Sequence, residues 1–598
     1  MVKIYIFPSI PVGCDTMCGI VGLVGLHLPQ PAEPLVKSML EKIAYRGPDG
    51  SRVISSPDHH AVFGMNTLSI VPNGGNLGPF SSPHLDLMLT YNGEVYNYRA
   101  LGNDWHIEDL QKKNDAQVVL EGYEQHGMNW INQLNGMFAF ALYDVRSKKV
   151  ILARDRLGEK PLYYRVRDGH LQFGSEIKAL LAYASAEQQV TDEFLAFETP
   201  VGDQTLFKDI YLLEPGSFII YDVQTGKLEK RRYWNLSETK NNASDSSEEN
   251  LEQLSHLISN AVHLQRPNLP FGLLLSGGVD SSTLAYLMKP DILFTARYPG
   301  FPRFDETERA SLVAKKLGIE HVFVEPSMHD FMLRIDPMMY HLEYYLGNAS
   351  GLSEYSIYQA MHERGLKIAV GGIGPDELML GYVRHLLMLE GPDTLTPELA
   401  LSYKSLIQLF QERTHESMSF VEKYYELVRR GPHSDAAFLY LASLMERGQD
   451  LGKLLTQADL GISFPPLLLT SDKLASAFGI EKRSPYLDFR VVEFMYGLSV
   501  KEKVSGGETK KTFCEFAKRS GVPAEVYAAK DKFGFASPVM HWLNNGLSNW
   551  SEAHIANLRV RPQLQPLFQN DTSRGQYDRT KFQLLCLALQ NGIFMHSN

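Results

Sequence analysis

LPFGLLLSGGVDSSTLAYLM, residues 269–288, is the stretch on which the fold turns. Its apolar run, 271–275, is short enough for a buried parallel strand. A turn of Ser276, Gly277, Gly278, Val279 and Asp280 follows, then Ser281 and Ser282, then the helix formers Leu284, Ala285, Leu287 and Met288. Strand, small-residue loop and helix start form the geometry that turns backbone N–H groups and a helix dipole toward a phosphate. Two glycines let the backbone approach an anion, and the serine hydroxyls of 276, 281 and 282 add donors. No Gly-Lys-Ser/Thr is present, so this is not the loop that cradles β- and γ-phosphates in P-loop NTPases. Asp280 repels a bare phosphate unless Mg²⁺ lies between them, which points to a metal-bound pyrophosphate. The competing reading is an ordinary strand-to-helix turn.

Outward from this loop, short runs such as 271–275, 292–296, 321–324 and 367–370 alternate with helical stretches. That alternation predicts an α/β domain with a parallel sheet covered by helices on both faces. Residues 18–213 differ. Short β-type runs such as 19–25, 87–91, 138–143 and 150–153 are separated by turns, with helices expected over 33–44 and 116–126. This predicts a layered α+β domain on antiparallel sheets. Between the halves, SETKNNASDSSEE (237–249) is nearly free of apolar residues and reads as a linker. Beyond residue 398 the chain is mostly helical in pattern.

A length of 598 residues implies at least two domains. The net charge of −11 argues against a nucleic-acid surface, since no basic face offsets it. Cys14, Cys18, Cys514 and Cys586 are too few and scattered for a disulfide framework or a CxxC metal site, which suits a reducing, cytoplasmic setting. No apolar run is long enough to span a bilayer, and Pro8, Pro11 and Gly13 break the opening segment as a signal peptide.

Met17-Cys18-Gly19-Ile20 places a cysteine directly after a methionine. If the chain is processed between them, Cys18 gains a free α-amine, whose pKa of about 8 lets it serve as the thiol's general base. A buried core cysteine is the alternative, and with Met1 as the start Cys18 has no free amine. After Cys18 come Arg46-Gly47-Pro48-Asp49-Gly50, Asn92-Gly93-Glu94-Val95-Tyr96-Asn97, Asn114-Asp115 and Arg154-Asp155-Arg156-Leu157-Gly158. With SGGVDSS, this ordered series resembles the glutamine-dependent asparagine synthetase family over residues 18–543.

The resemblance implies a four-layer αββα N-terminal-nucleophile (Ntn) glutaminase followed by a PP-loop synthetase domain. Cys18 would attack the glutamine amide, and the Asn92 side chain and Gly93 N–H would form the oxyanion hole. Asn92-Gly93 also reads as a hairpin turn. Asp115 and Glu94 would hold the substrate ammonium. Thr67 stands where the family has an arginine that clamps the glutamine carboxylate, and Arg46 is the substitute to consider.

For the second half, the resemblance implies ATP cleavage between α- and β-phosphates, an acyl-adenylate, and its capture by ammonia. Ser276, Gly277, Gly278, Asp280, Ser281 and Ser282 match the pyrophosphate loop, and Leu274 and Ala296 fall at the nucleotide pocket. In Gly371-Gly372-Ile373-Gly374-Pro375-Asp376-Glu377, Asp376 would join Asp280 on Mg²⁺, while Gly371 and Gly372 belong with ATP. Ile373 and Glu377 would line the acceptor pocket; Ile373 stands where asparagine synthetases typically carry Glu, which puts aspartate in question. Asp472-Lys473 and Glu481-Lys482-Arg483-Ser484-Pro485-Tyr486-Leu487-Asp488 resemble an active-site wall, and Lys510 falls on a family lysine. Lys530 would stabilise charge on the α-phosphate.

The expected organisation is an upstream segment 1–17, a glutaminase domain 18–236, a linker 237–249 and a synthetase domain 250–598. Glutamine, ATP, Mg²⁺ and a carboxylate acceptor are the expected partners, with no nucleic acid, no membrane and a homodimer as the assembly considered. Aspartate is the default acceptor, another carboxylate the runner-up. A synthetase using an amine directly, and a catalytically inactive binding protein, are the readings from other classes.

Overall fold

The computed structural model describes residues 16–69, 77–240, 242–305, 307–343, 349–445, 450–529, 537–558, 564–568 and 579–595. The first half is built on twelve antiparallel strands that divide into two layers. One layer runs Tyr211–Leu212, Tyr163–Arg167, His170–Gly174, Thr16–Val24, Ala61–Ser69, Gly50–Ser55. The other runs Phe80–Ser81, Leu87–Val95, Gly136–Asp144, Lys149–Arg154, Ser217–Asp222, Leu228–Arg232. They are joined where Thr16 pairs with Gly93.

Period-two alternation decides what each face meets. Cys18 and Ile20 join Phe63, Met65, Met88, Ala139 and Ala141 in one core. Val21 and Leu23, the intervening positions, pack with Val36, Leu40 and Leu180 of helices Ala32–Glu41 and Ile177–Tyr183. Helix Asp115–His126 covers the second layer, where Ala116 and Val119 share a core with Tyr91 and Phe140. The order helix, sheet, sheet, helix follows, as expected. It places Cys18 between the layers, fully buried.

In the second half, five parallel strands run Glu320–Val324, Ile292–Ala296, Gly272–Leu274, Ile368–Val370, Glu481–Arg483. Leu273 and Val370 face a core shared with helices Ser247–Gln265 and Val279–Met288, while Phe294 and Ala369 face the core of helix Gly351–Glu363. The fifth strand was not expected. Glu481-Lys482-Arg483 has no apolar residue to signal burial, yet all three are buried. The polar stretch 237–249 is also more ordered than a linker. It opens inside the turn Leu236–Glu238, and its end is the first turn of helix Ser247–Gln265, capped by Ser246. Helices between Val383 and Ile462 form a further core that takes in Ala196, Phe197 and Val201 of the first half.

Candidate functional site

Two polar corners emerge, one on each sheet system. At the first, the Cys18 N–H donates to Asn92 Oδ1 at 3.1 Å. Asn92 is not in a hairpin turn: it lies inside strand Leu87–Val95 opposite Ala139, fully buried. Its Nδ2 has no hydrogen-bond partner among the described residues. A buried amide donor without a partner costs about 1–3 kcal/mol, so this one is poised for an acceptor the protein does not supply. Gly93 is irreplaceable on steric grounds: φ is +137° and a Cβ would sit 2.0 Å from the Met137 carbonyl oxygen. Thr67, the register partner of Cys18, is buried and its Oγ1 also has no hydrogen-bond partner among the described residues.

Asp115 opens its helix behind a capping box made by Asn114 and Gln117. Its Oδ2 accepts from Tyr91 Oη at 2.6 Å and from the Val95 N–H at 3.0 Å, which ties it to the strand bearing Asn92. Glu94 Oε2 lies 2.5 Å from Arg483 Nη2, so a synthetase-half cation is already at this carboxylate.

Arg46 requires a correction. Its guanidinium, wholly buried, donates to Glu176 Oε1 at 2.9 Å and to Asp472 Oδ2 at 2.7 Å. Burial opposes its charge, but the two carboxylates hold it well above the ordinary arginine range. Arg46 thus belongs to an ionic joint between the halves, which also includes Lys160, Lys178, Glu343 and Lys473. It is not offered to a glutamine carboxylate.

The second corner lies at the carboxyl ends of adjacent parallel strands, where open α/β sheets bind ligands. Gly278 caps helix Val279–Met288 without a side-chain hydrogen bond, and Gly277 has φ +75°. The Ser276 and Ser281 hydroxyls lie 3.1 Å apart and brace the turn. Ser282 Oγ is buried without a hydrogen-bond partner among the described residues. A Cβ on Gly372 would stand 3.0 Å from the Ser281 nitrogen, so the two glycine-bearing loops touch. Leu274 and Ala296, both half-buried, end neighbouring strands.

Lys510 Nζ donates to both Asp280 oxygens at 2.9 Å and to Asp376 Oδ1 at 2.7 Å. Burial works against the ammonium, yet Asp280 and Asp376 hold it well above the ordinary lysine range. Two carboxylates therefore converge on one cation-sized point, an oxygen set that suits Mg²⁺. Among the described residues no three His, Cys, Asp or Glu side chains cluster as a metal site, so phosphate oxygens and water would have to complete the shell. Glu377 is turned elsewhere than expected. Its carboxyl takes the Tyr382 hydroxyl at 2.5 Å, its carbonyl takes Thr456 Oγ1, and burial pushes it up to about 8. It braces helix Leu451–Ile462 rather than lining an acceptor pocket. Ile373 is half-buried against the core that holds Val370 and Leu487. Lys530 lies outside the described residues.

A helix–sheet–sheet–helix half joined to a parallel-sheet half with a glycine–serine loop is the frame of a two-domain glutamine amidotransferase, the class that the family matches assign. Residues 17–234 match the model of the glutamine amidotransferase domain, and residues 253–588 match that of asparagine synthase. The chain belongs to the asparagine synthase family and is a glutamine-dependent C–N ligase. It is 27% identical over 580 residues to asparagine synthetase (glutamine-hydrolyzing) 1 of Bacillus subtilis, with 89% of each chain covered. A putative asparagine synthetase of Mycobacterium tuberculosis is 25% identical with 97% of each covered. An amidase of Gibberella zeae is 28% identical over 372 residues, 58% of this chain and 55% of that one. Among the described residues no helix is long and apolar enough to cross a membrane.

Proposed function

We propose that this ligase hydrolyses glutamine at Cys18 and uses the ammonia to amidate a carboxylic acid activated as its acyl-adenylate, releasing AMP and pyrophosphate. The observation that carries the first half is Asn92: Oδ1 holds the Cys18 nitrogen while buried Nδ2 stands unpaired beside it. In a chain processed after Met17 that nitrogen becomes the α-amine, which takes the thiol proton as Cys18 attacks the amide carbon. Asn92 Nδ2 and the Gly93 N–H then meet the developing oxyanion, and Asp115 receives the substrate ammonium, while Glu94, the expected second carboxylate, is already paired with Arg483. Thr67 Oγ1 supplies a hydroxyl where an arginine would clamp the glutamine carboxylate, a weaker contact.

In the second half, the loop 276–282 binds the pyrophosphate portion of ATP with Gly278, Ser281 and Ser282, while Leu274 and Ala296 flank the nucleotide. Asp280 and Asp376 would hold Mg²⁺, which neutralises phosphate charge when bound. Lys510 keeps those carboxylates converged, and Lys530, which lies outside the described residues, is assigned to the α-phosphate by the family resemblance alone. Ammonia must cross from one half to the other shielded from water, which would otherwise hydrolyse the intermediate. Aspartate is the default acceptor. Ile373 favours a different carboxylic acid, because it offers no charge to an α-ammonium.

Cys18→Ala is expected to abolish glutamine-dependent amide formation while sparing the ammonia-dependent reaction; equal loss with both donors overturns the division of labour. Pyrophosphate release across a panel of carboxylic acids then names the acceptor.

A further inference from the structure

A cavity of about 400 Å³ lies where the first half meets the helices Leu451–Ile462 and Phe464–Ser476. That volume falls in the range that takes a metabolite-sized molecule. No residue of either polar corner, and none of the ionic joint, lines it. Its buried wall includes Ile177 and Leu212 from the first half, and Phe464 and Leu469 from the second. Tyr163 and Trp234 add aromatic surface.

Two wall residues keep a buried polar atom that the protein leaves unsatisfied. Gln457 donates from Nε2 to Tyr496 Oη at 2.6 Å, while its Oε1 has no hydrogen-bond partner among the described residues. Arg156 donates from Nη1 to the Leu134 carbonyl and from Nη2 to the Asn132 carbonyl, and its guanidinium lies 4.1 Å from the centre of the Phe489 ring. Its Nε is the donor left over. Burial holds Arg156 below the ordinary arginine range, outweighing Glu493, Asp488 and Asp155, which face it. An unsatisfied buried atom is a cost that the matching group of a ligand removes. Nε needs an acceptor and Oε1 needs a donor. The charged wall residues are Arg154, Arg156 and Arg232 against Glu214, and Glu214 already pairs with Arg232 at 3.3 Å. An anionic acceptor suits the guanidinium best, because a charge-assisted bond is the stronger one.

We propose that this cavity is a ligand site separate from the two reaction sites, and that it takes a small aromatic carboxylate or sulfonate bearing an N–H or O–H donor. Arg156 receives the anion, Gln457 the donor, and the apolar wall the ring. Because the walls come from both halves, a bound ligand fastens the joint between them. The site uses none of the residues assigned to glutamine hydrolysis or adenylation, so it stands or falls apart from that reading.

The full-length enzyme is titrated with toluidinonaphthalene sulfonate, an aromatic amine with one sulfonate and one N–H, and with the same amine lacking its sulfonate. Calorimetry and probe emission read binding to the wild type, Arg156→Met, Gln457→Leu and Leu444→Trp. The last fills the cavity from a half-buried wall position. The wild type is expected to bind one sulfonate per chain, about 10- to 100-fold more tightly than the neutral amine. The bound sulfonate should also raise the temperature of the first unfolding transition. Arg156→Met should bring the two probes to equal affinity, and Gln457→Leu should weaken both by about 2- to 10-fold. Leu444→Trp should abolish binding, and with Gln457→Leu it carries the test if Arg156→Met does not fold. Equal affinity of the wild type for both probes, no complex at one per chain, or affinity unchanged in Leu444→Trp overturns the proposal. A one-to-one complex that leaves the first transition unmoved overturns the fastening of the joint.

Discussion

Replacing Arg46 by Met removes the cation from a site where it holds Glu176 at 2.9 Å and Asp472 at 2.7 Å, all three groups essentially excluded from solvent. Breaking a buried ion pair by deleting one member typically costs about 3–5 kcal/mol, because the remaining charge stays buried. Here Lys178 still contacts Glu176 and Lys160 still contacts Asp472 at 3.1 Å, which offsets part of the loss. The expected cost is therefore toward the lower end, about 3 kcal/mol. Because Arg46 and Glu176 belong to the first half and Asp472 to the second, the loss should be concentrated in the transition that separates the halves. Urea unfolding followed by tryptophan fluorescence, read on its first transition, measures it; a protein of this size is not expected to unfold in one step. A cycle with Asp472→Asn isolates the pair term. Ammonia-dependent turnover should fall less than glutamine-dependent turnover, because the joint aligns the two sites. A stability change below about 1 kcal/mol together with a tenfold rise in KM for glutamine would refute this reasoning and restore Arg46 as the glutamine clamp.

Asn92→Ala should lower glutamine hydrolysis by about 10²–10³ in kcat, with ammonia-dependent synthesis unchanged, measured by glutamate release. Lys510→Met leaves Asp280 and Asp376 facing one another; it should lose pyrophosphate formation and gain more in Tm from added Mg²⁺ than the wild type does, because no ammonium competes for those oxygens. Lys503 is buried, donates to the Tyr496 carbonyl at 3.2 Å, and is pulled by burial from 10.5 down to about 7. Between those values the unfolded chain binds more protons than the folded one, so this group makes stability rise with pH from about 7 to about 10. Lys503→Met should flatten that rise relative to the wild type and gain about 2 kcal/mol at pH 6, a discounted share of the full shift. Identical pH profiles of urea midpoints would show that Lys503 does not titrate there.

Local pattern carried much of this protein. The strand expected over 19–25 is found as Thr16–Val24, and the strand, glycine-serine turn and helix of residues 269–288 are local in sequence. The helix at Asp115 was legible to within a residue because its cap is written beside it in Asn114 and Gln117. Tertiary structure decided what long-range pairing decides. Arg46 and Asp472 lie 426 positions apart, and no periodicity connects them. Lys510 reaches Asp280 across 230 positions and Asp376 across 134. Glu481-Lys482-Arg483 reads as a solvated charged run, yet it is a sheet strand whose Arg483 meets Glu94 and whose Lys482 fills the space over Gly371. A charged side chain's role depends on which opposite charge the fold brings to it, and that information resides in the packing of the two halves rather than in either one.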